Sequence, residues 1–122
     1  MKKVLIIDDE KDFCFFVKKG LEKVGKFSVA VCSNAKESFK EITRFQPDLI
    51  LLDILMPEIN GSQLAIELKK NKETQNIPFI FVTALISYDE IEKAGLNPHD
   101  HKILTKPVRL SELVTVINSA IS

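Results

Sequence analysis

Four short runs of purely apolar residues constrain this chain most: 4–7, 49–52, 79–82, and a weaker one at Ile103 and Leu104. An alternating run would leave one face polar. These leave none, so they read as strands covered on both faces. A fifth stretch, 27–31, alternates large and small side chains and reads as a less buried edge strand. Between the strands the apolar period changes. Phe13, Val17, Leu21 and Val24 fall at i, i+4, i+8 and i+11, and Ala35, Phe39 and Ile42 follow the candidate N-caps Ser33 and Asn34. Leu64 with Leu68, Ile91 with Ala94, and Leu110, Leu113, Val114 and Ile117 supply three more helical stripes.

Strands alternating with helices need crossover connections, which give a parallel sheet wrapped on both sides, and right-handed crossovers leave few strand orders. With the alternating strand at an edge, the pattern predicts an α/β, flavodoxin-like fold: a doubly wound five-stranded parallel sheet of order 2-1-3-4-5 with five helices. There is no repeat and no Pro/Gly/Ser linker, so residues 1–122 read as one domain. The isolated glycines 20, 25, 61 and 95 exclude both the dinucleotide fingerprint and the phosphate-binding P-loop. Lys plus Arg equals Asp plus Glu at 17 each, so no whole-domain positive field exists to hold nucleic acid. No segment reaches the roughly 20 apolar residues of a membrane span. Cys14 and Cys32 fit neither a metal knuckle nor a disulfide scaffold, and the apolar run after Lys3 is too short for a signal peptide. These features predict a cytoplasmic protein.

In an open parallel sheet, ligands bind beyond the carboxyl ends of the strands, so the residues that end each run carry the most information. The first run ends in Asp8 and Asp9, the third strand in Asp53, the fourth in Thr83 and the fifth in Lys106. Three converging carboxylates repel one another unless a cation neutralises them, and oxygen ligands without His or Cys point to magnesium. Helix capping is the plainer use of such acids, and fits Asp9 taken alone. It does not explain a lysine, or the coincidence at four strand ends.

Together these residues resemble a response-regulator receiver domain, the phosphoacceptor module of two-component signalling. The resemblance spans essentially the whole chain. It rests on Asp8-Asp9, on Asp53-Ile54-Leu55-Met56-Pro57 with Asn60-Gly61, on Thr83-Ala84 and on Lys106-Pro107. It implies that Asp53 takes a phosphoryl group from a phosphohistidine donor, while Asp8, Asp9, Asp53 and the backbone carbonyl of Leu55 bind Mg2+. Lys106 would balance charge on the phosphoryl oxygens, and Lys106-Pro107 would be a cis peptide. Thr83 would report occupancy to the face of the fourth helix, fifth strand and fifth helix. Its switch partner in this chain is Ile103, where receivers commonly carry Tyr or Phe. The loop 95–101 also departs from the family pattern; its His99 and His101 read as solvated rather than as metal ligands.

The resemblance further implies a histidine kinase or histidine phosphotransfer protein as donor and a downstream protein or effector domain as target. Receivers dock the donor with the first helix. If Phe13, Val17 and Leu21 face the sheet, Cys14 and Phe15 lie about 100° and 200° round that helix and cannot both enter the same core. Phe15 and Cys14 are therefore the candidate docking residues. Leu55 and Leu85, flanking the phosphoryl group in the resemblance, offer no hydrogen bond to a water and predict slow loss of phosphate. Two rival readings carry less. A phosphohydrolase with an aspartyl-phosphate intermediate normally has a second Asp at the position of Leu55, and a binding-only receiver would not need the complete acid, threonine and lysine set. A stand-alone regulator, a relay intermediate and a piece of a larger regulator all fit the residues.

Overall fold

A computed structural model describes residues 1–56, 60–84, 87–93 and 102–121. In chain order the elements are β1 (Lys2–Ile7), α1 (Lys11–Val24), β2 (Phe27–Cys32), a 3₁₀ turn (Ala35–Glu37) running into α2 (Ser38–Phe45), β3 (Leu49–Leu52), α3 (Gly61–Lys70), β4 (Phe79–Thr83), α4 (Tyr88–Lys93), β5 (Ile103–Thr105) and α5 (Leu110–Ile121). All pairings are parallel and the order is β2-β1-β3-β4-β5, the doubly wound arrangement expected from the apolar runs.

The two-faced burial has a simple cause. Successive strand side chains point to opposite faces, so Val4 and Ile6 join Phe13, Val17 and Leu21 of α1 and Leu113 and Ile117 of α5. Leu5 and Ile7 join Ile42 of α2, Leu64 and Leu68 of α3 and Ile91 of α4. Every residue of β3 is buried, and each such aliphatic side chain contributes roughly 1.5–3 kcal/mol. Among the described residues β2 pairs only with β1, and it is less completely buried, as an alternating edge strand should be.

Helix ends follow local chemistry. Gly25 closes α1 in the left-handed region (φ 84°), its N–H donating to Glu22 O at 3.0 Å. Asn34 caps the 3₁₀ turn by accepting the Lys36 N–H at 3.0 Å, and Asn60 caps α3 by accepting the Ser62 N–H at 2.8 Å.

Two expectations need correction. Val24 does not complete the buried stripe of α1; it is exposed in the last turn, where the chain reverses at Gly25. Asp9 does not cap α1 either, because the residue before the helix is Glu10, which makes no side-chain cap bond. Pro57, Leu85, Ala94 and the loop 95–101 with His99 and His101 lie outside the described residues. Among the described residues no helix is long and apolar enough to cross a membrane.

Candidate functional site

Parallel pairing brings the carboxyl ends of β1, β3, β4 and β5 side by side, and each delivers a polar residue. Asp8 follows β1, with its N–H donating to Cys32 O at 3.1 Å; Asp53 follows β3, with its N–H donating to Ile7 O at 3.1 Å. Thr83 ends β4, and its carbonyl accepts the Lys106 N–H at 2.8 Å. The backbone ladder thus fixes four candidate side chains before any of them touches another.

The side chains then converge. One oxygen each from Asp8, Asp9 and Asp53 lies within 4.8 Å of the others. Asp8 and Asp53 are buried and Asp9 is exposed, so the cluster opens to solvent on one side. Lys106 Nζ donates to Asp8 Oδ2 at 2.8 Å and stands 3.5 Å from Asp53 Oδ2 and 4.0 Å from Glu10 Oε2. The second oxygen of Asp8 accepts the Glu10 N–H at 2.9 Å, and that of Asp53 accepts the Leu55 N–H at 3.2 Å. Thr83 is fully buried at the end of β4, and its hydroxyl favours the ionised Asp53 carboxylate. The Lys106-Pro107 peptide is cis, as the resemblance implies.

Charge is not balanced here. Among the described residues four carboxylates, Asp8, Asp9, Glu10 and Asp53, gather around the ammonium of Lys106. Burial, and after it the charge of Asp8, pushes the Asp53 carboxyl above its ordinary value, although Lys106, the Leu55 N–H and the Thr83 hydroxyl pull the other way. Burial alone would lower the Lys106 ammonium, but its hydrogen bond to Asp8 and the charges of Asp53, Asp8 and Glu10 outweigh it and hold the group above its ordinary value. A dication removes this excess. Hard carboxylate oxygens, open on the Asp9 side to water, fit magnesium, and the cluster could hold a metal ion.

The docking expectation divides in two. Phe15 is 63% exposed, and with Phe16 it forms an aromatic surface on α1 beside Lys19 and Lys23. Lys19 Nζ lies 5.1 Å from the Phe15 ring centroid. Cys14, however, is only 3% exposed, and its Sγ donates to Asp8 O at 3.4 Å. It faces the strand end rather than solvent and has no surface for a partner. Burial, then the charge of Asp8, pushes its thiol up to about 12, which keeps it protonated and unreactive at neutral pH. Ile103 pairs with Phe81 across β4 and β5 and packs, half-buried, against the second core.

Two neighbours of Lys106 escaped the sequence: Glu10, and Phe13, whose ring centroid is 4.4 Å from Nζ. The spacing of Phe13 gives it only a place in the apolar stripe of α1. Its place in the first turn after a strand-end acid pair was the available signal.

Residues 4–118 match the family described as the response regulator receiver domain. The chain is 40% identical over 120 residues to an uncharacterized response regulatory protein of Yersinia pestis, covering 94% of this chain but 48% of that relative. It is 33% identical over 123 residues to the protein PilH of Pseudomonas aeruginosa, covering 100% of this chain and 99% of PilH. In fold it is similar to the chemotaxis protein CheY4 of Vibrio cholerae, with a TM-score of 0.85 at 20% identity over 98% of each chain.

Proposed function

The chain belongs to the response-regulator receiver domain family of two-component signalling, and from that premise we propose that Asp53 accepts a phosphoryl group from a phosphohistidine donor. Receiver domains are signalling modules rather than classical enzymes. The observation that carries the proposal is Lys106, one buried ammonium reaching both Asp8 and Asp53 at the ends of different strands.

An Asp53 carboxylate oxygen attacks phosphorus in line with the leaving nitrogen. The new O–P bond forms as the P–N bond breaks; the electron pair stays on nitrogen, and the ring leaves as neutral imidazole because its other nitrogen carries a proton. The Leu55 N–H holds the attacking carboxylate in one orientation. Lys106 exchanges its contact with Asp8 for a phosphoryl oxygen and balances the charge carried there. Asp8, Asp9, Asp53 and the Leu55 carbonyl would hold magnesium, which when bound supplies charge neutralisation to the phosphoryl oxygens. Thr83, which ends β4 beside β5, would turn toward the phosphoryl group and alter a protein-binding face, with Ile103 following it instead of an aromatic ring. A cytoplasmic site of action and a downstream protein or effector domain go with this reading.

Incubation with magnesium and acetyl phosphate should add one phosphoryl group, and borohydride reduction should map it to residue 53. A chelator should stop the gain, and Asp8→Asn with Asp9→Asn should remove the magnesium dependence. Label on any other residue, or equal labelling without a divalent cation, would sink the proposal.

The exposed aromatic on α1 supplies a further prediction. Phe15→Ala should slow transfer from the cognate histidine donor about tenfold, as loss of a central aromatic contact does, and leave labelling by acetyl phosphate unchanged. Equal slowing with both donors would show that Phe15 acts through folding.

A further inference from the structure

In the proposed reaction, Lys106 must hold its aim while its charged partners change. Its side chain is 11% exposed, so it cannot fall back on bulk water. At rest, its ammonium is within 4.0 Å of Asp8, Asp53 and Glu10. Once Asp8 turns to a cation and Asp53 becomes an acyl phosphate, the nearest partners alter in charge and direction.

One neighbour does not alter. The Phe13 ring centroid is 4.4 Å from Nζ, well inside the roughly 6 Å range over which a ring face attracts a cation. The ring has no proton to lose and no hydrogen bond to break. It is itself held, 9% exposed, in the core cluster of α1 with Val17 and Leu21. At the other end, the lysine backbone is tied to Thr83 O at 2.8 Å.

We propose that Phe13 is a positioning residue for Lys106, its ring face a fixed, uncharged guide that keeps the ammonium aimed at the Asp53 carboxylate and then at the phosphoryl group formed there. The inference rests on the role of Asp53 proposed above. A residue that only filled the core would need volume and apolar surface. A guide needs the electron density of the ring face as well.

Fluorination separates the two, because it drains the ring face while hardly changing ring shape. The chain contains eight phenylalanines, so 4-fluoro-, 3,5-difluoro- and 3,4,5-trifluorophenylalanine are introduced at position 13 alone. The initial rate of labelling by acetyl phosphate at saturating magnesium should fall stepwise, reaching about tenfold for the trifluoro ring. Phe13→Leu should slow labelling as much and abolish the upfield ring-current shift of the Lys106 ε-methylene protons; Phe13→Tyr should preserve both. A flat rate across the fluorinated series, or a Leu variant labelled at the native rate, overturns the inference. Failure of the Asp53 reading looks different: the unmodified protein itself would take no label, or would take it on another residue.

Discussion

Asp53→Asn should carry no phosphoryl group after any exposure to acetyl phosphate or a phosphorylated histidine donor, and should at the same time be more stable than the native protein at neutral pH. The first effect follows from chemistry: an amide offers no carboxylate oxygen to form the acyl phosphate. The second follows from environment. Burial, then Asp8, raises the Asp53 carboxyl above its ordinary value of 3.8, so the folded chain keeps that proton to higher pH than the unfolded one. The stability this group contributes is therefore present below 3.8 and lost as pH rises through the raised folded value. Asn suffers no such loss. Lys106 keeps its closer partner, Asp8 at 2.8 Å, so no buried ammonium is stranded. Urea midpoints measured with a chelator at acid and neutral pH should show the native protein falling behind the variant as pH rises. A variant that unfolds earlier than the native protein at neutral pH would contradict the argument. Magnesium should restore the native protein by mass action, about 1.4 kcal/mol at ten times its Kd, and should do much less for the variant.

Gly61→Ala should cost about 3 kcal/mol, or a fall in Tm on the order of 10 °C. A Cβ at this position would lie 2.0 Å from Asp53 O and 2.8 Å from Ile54 Cα. Both are backbone atoms, so no rotamer change relieves the contact. The start of α3 would have to move away, breaking the Gly61 N–H bond to Ile54 O at 2.9 Å. That bond anchors the start of α3 to the residue that follows Asp53, so labelling should fall along with stability. Thermal unfolding and labelling rate, measured on one preparation, check both effects. An alanine variant with the native Tm would mean that this approach is not tight. Gly20→Ala makes a useful contrast: its Cβ would meet the ends of the Leu110 side chain at 2.7 and 2.8 Å, atoms that can swing aside.

The parts of this molecule that were readable in advance are those governed by neighbours in sequence. The runs at β1, β3 and β4 announced strands because an interior parallel strand is covered on both faces and cannot carry polar residues. The alternation of β2 put it at an edge, and that placement favoured the order observed. Asp8, Asp9, Asp53, Thr83 and Lys106 were visible because each interrupts or follows an apolar run, and parallel pairing brings such ends together.

What was not readable depends on closure in three dimensions. Cys14 sits about 100° from the Phe13 row, which suggested exposure, yet the β1 end packs over that side of α1 and its thiol meets Asp8 O. Gly61 reads as ordinary turn chemistry in sequence; its actual constraint is the Asp53 carbonyl 2.0 Å from where a Cβ would stand. The contact of Phe13 with Lys106 joins the first helix to the last strand end, and no spacing along the chain encodes it.

The two sides of α1 also determine how such a protein can change its allegiance. Phe13, Cys14, Val17 and Leu21 look inward to the sheet and the strand-end carboxylates, while Phe15, Phe16, Lys19 and Lys23 line the outer surface. Substitutions in the outward row meet solvent and leave the inward row intact. Phe15 is only two positions from the residue that touches Lys106, so in the proposed reading address and engine are separated by helical rotation rather than by distance. A lineage could therefore acquire a new signalling partner by drift on one side of a single helix while its chemistry stayed fixed on the other.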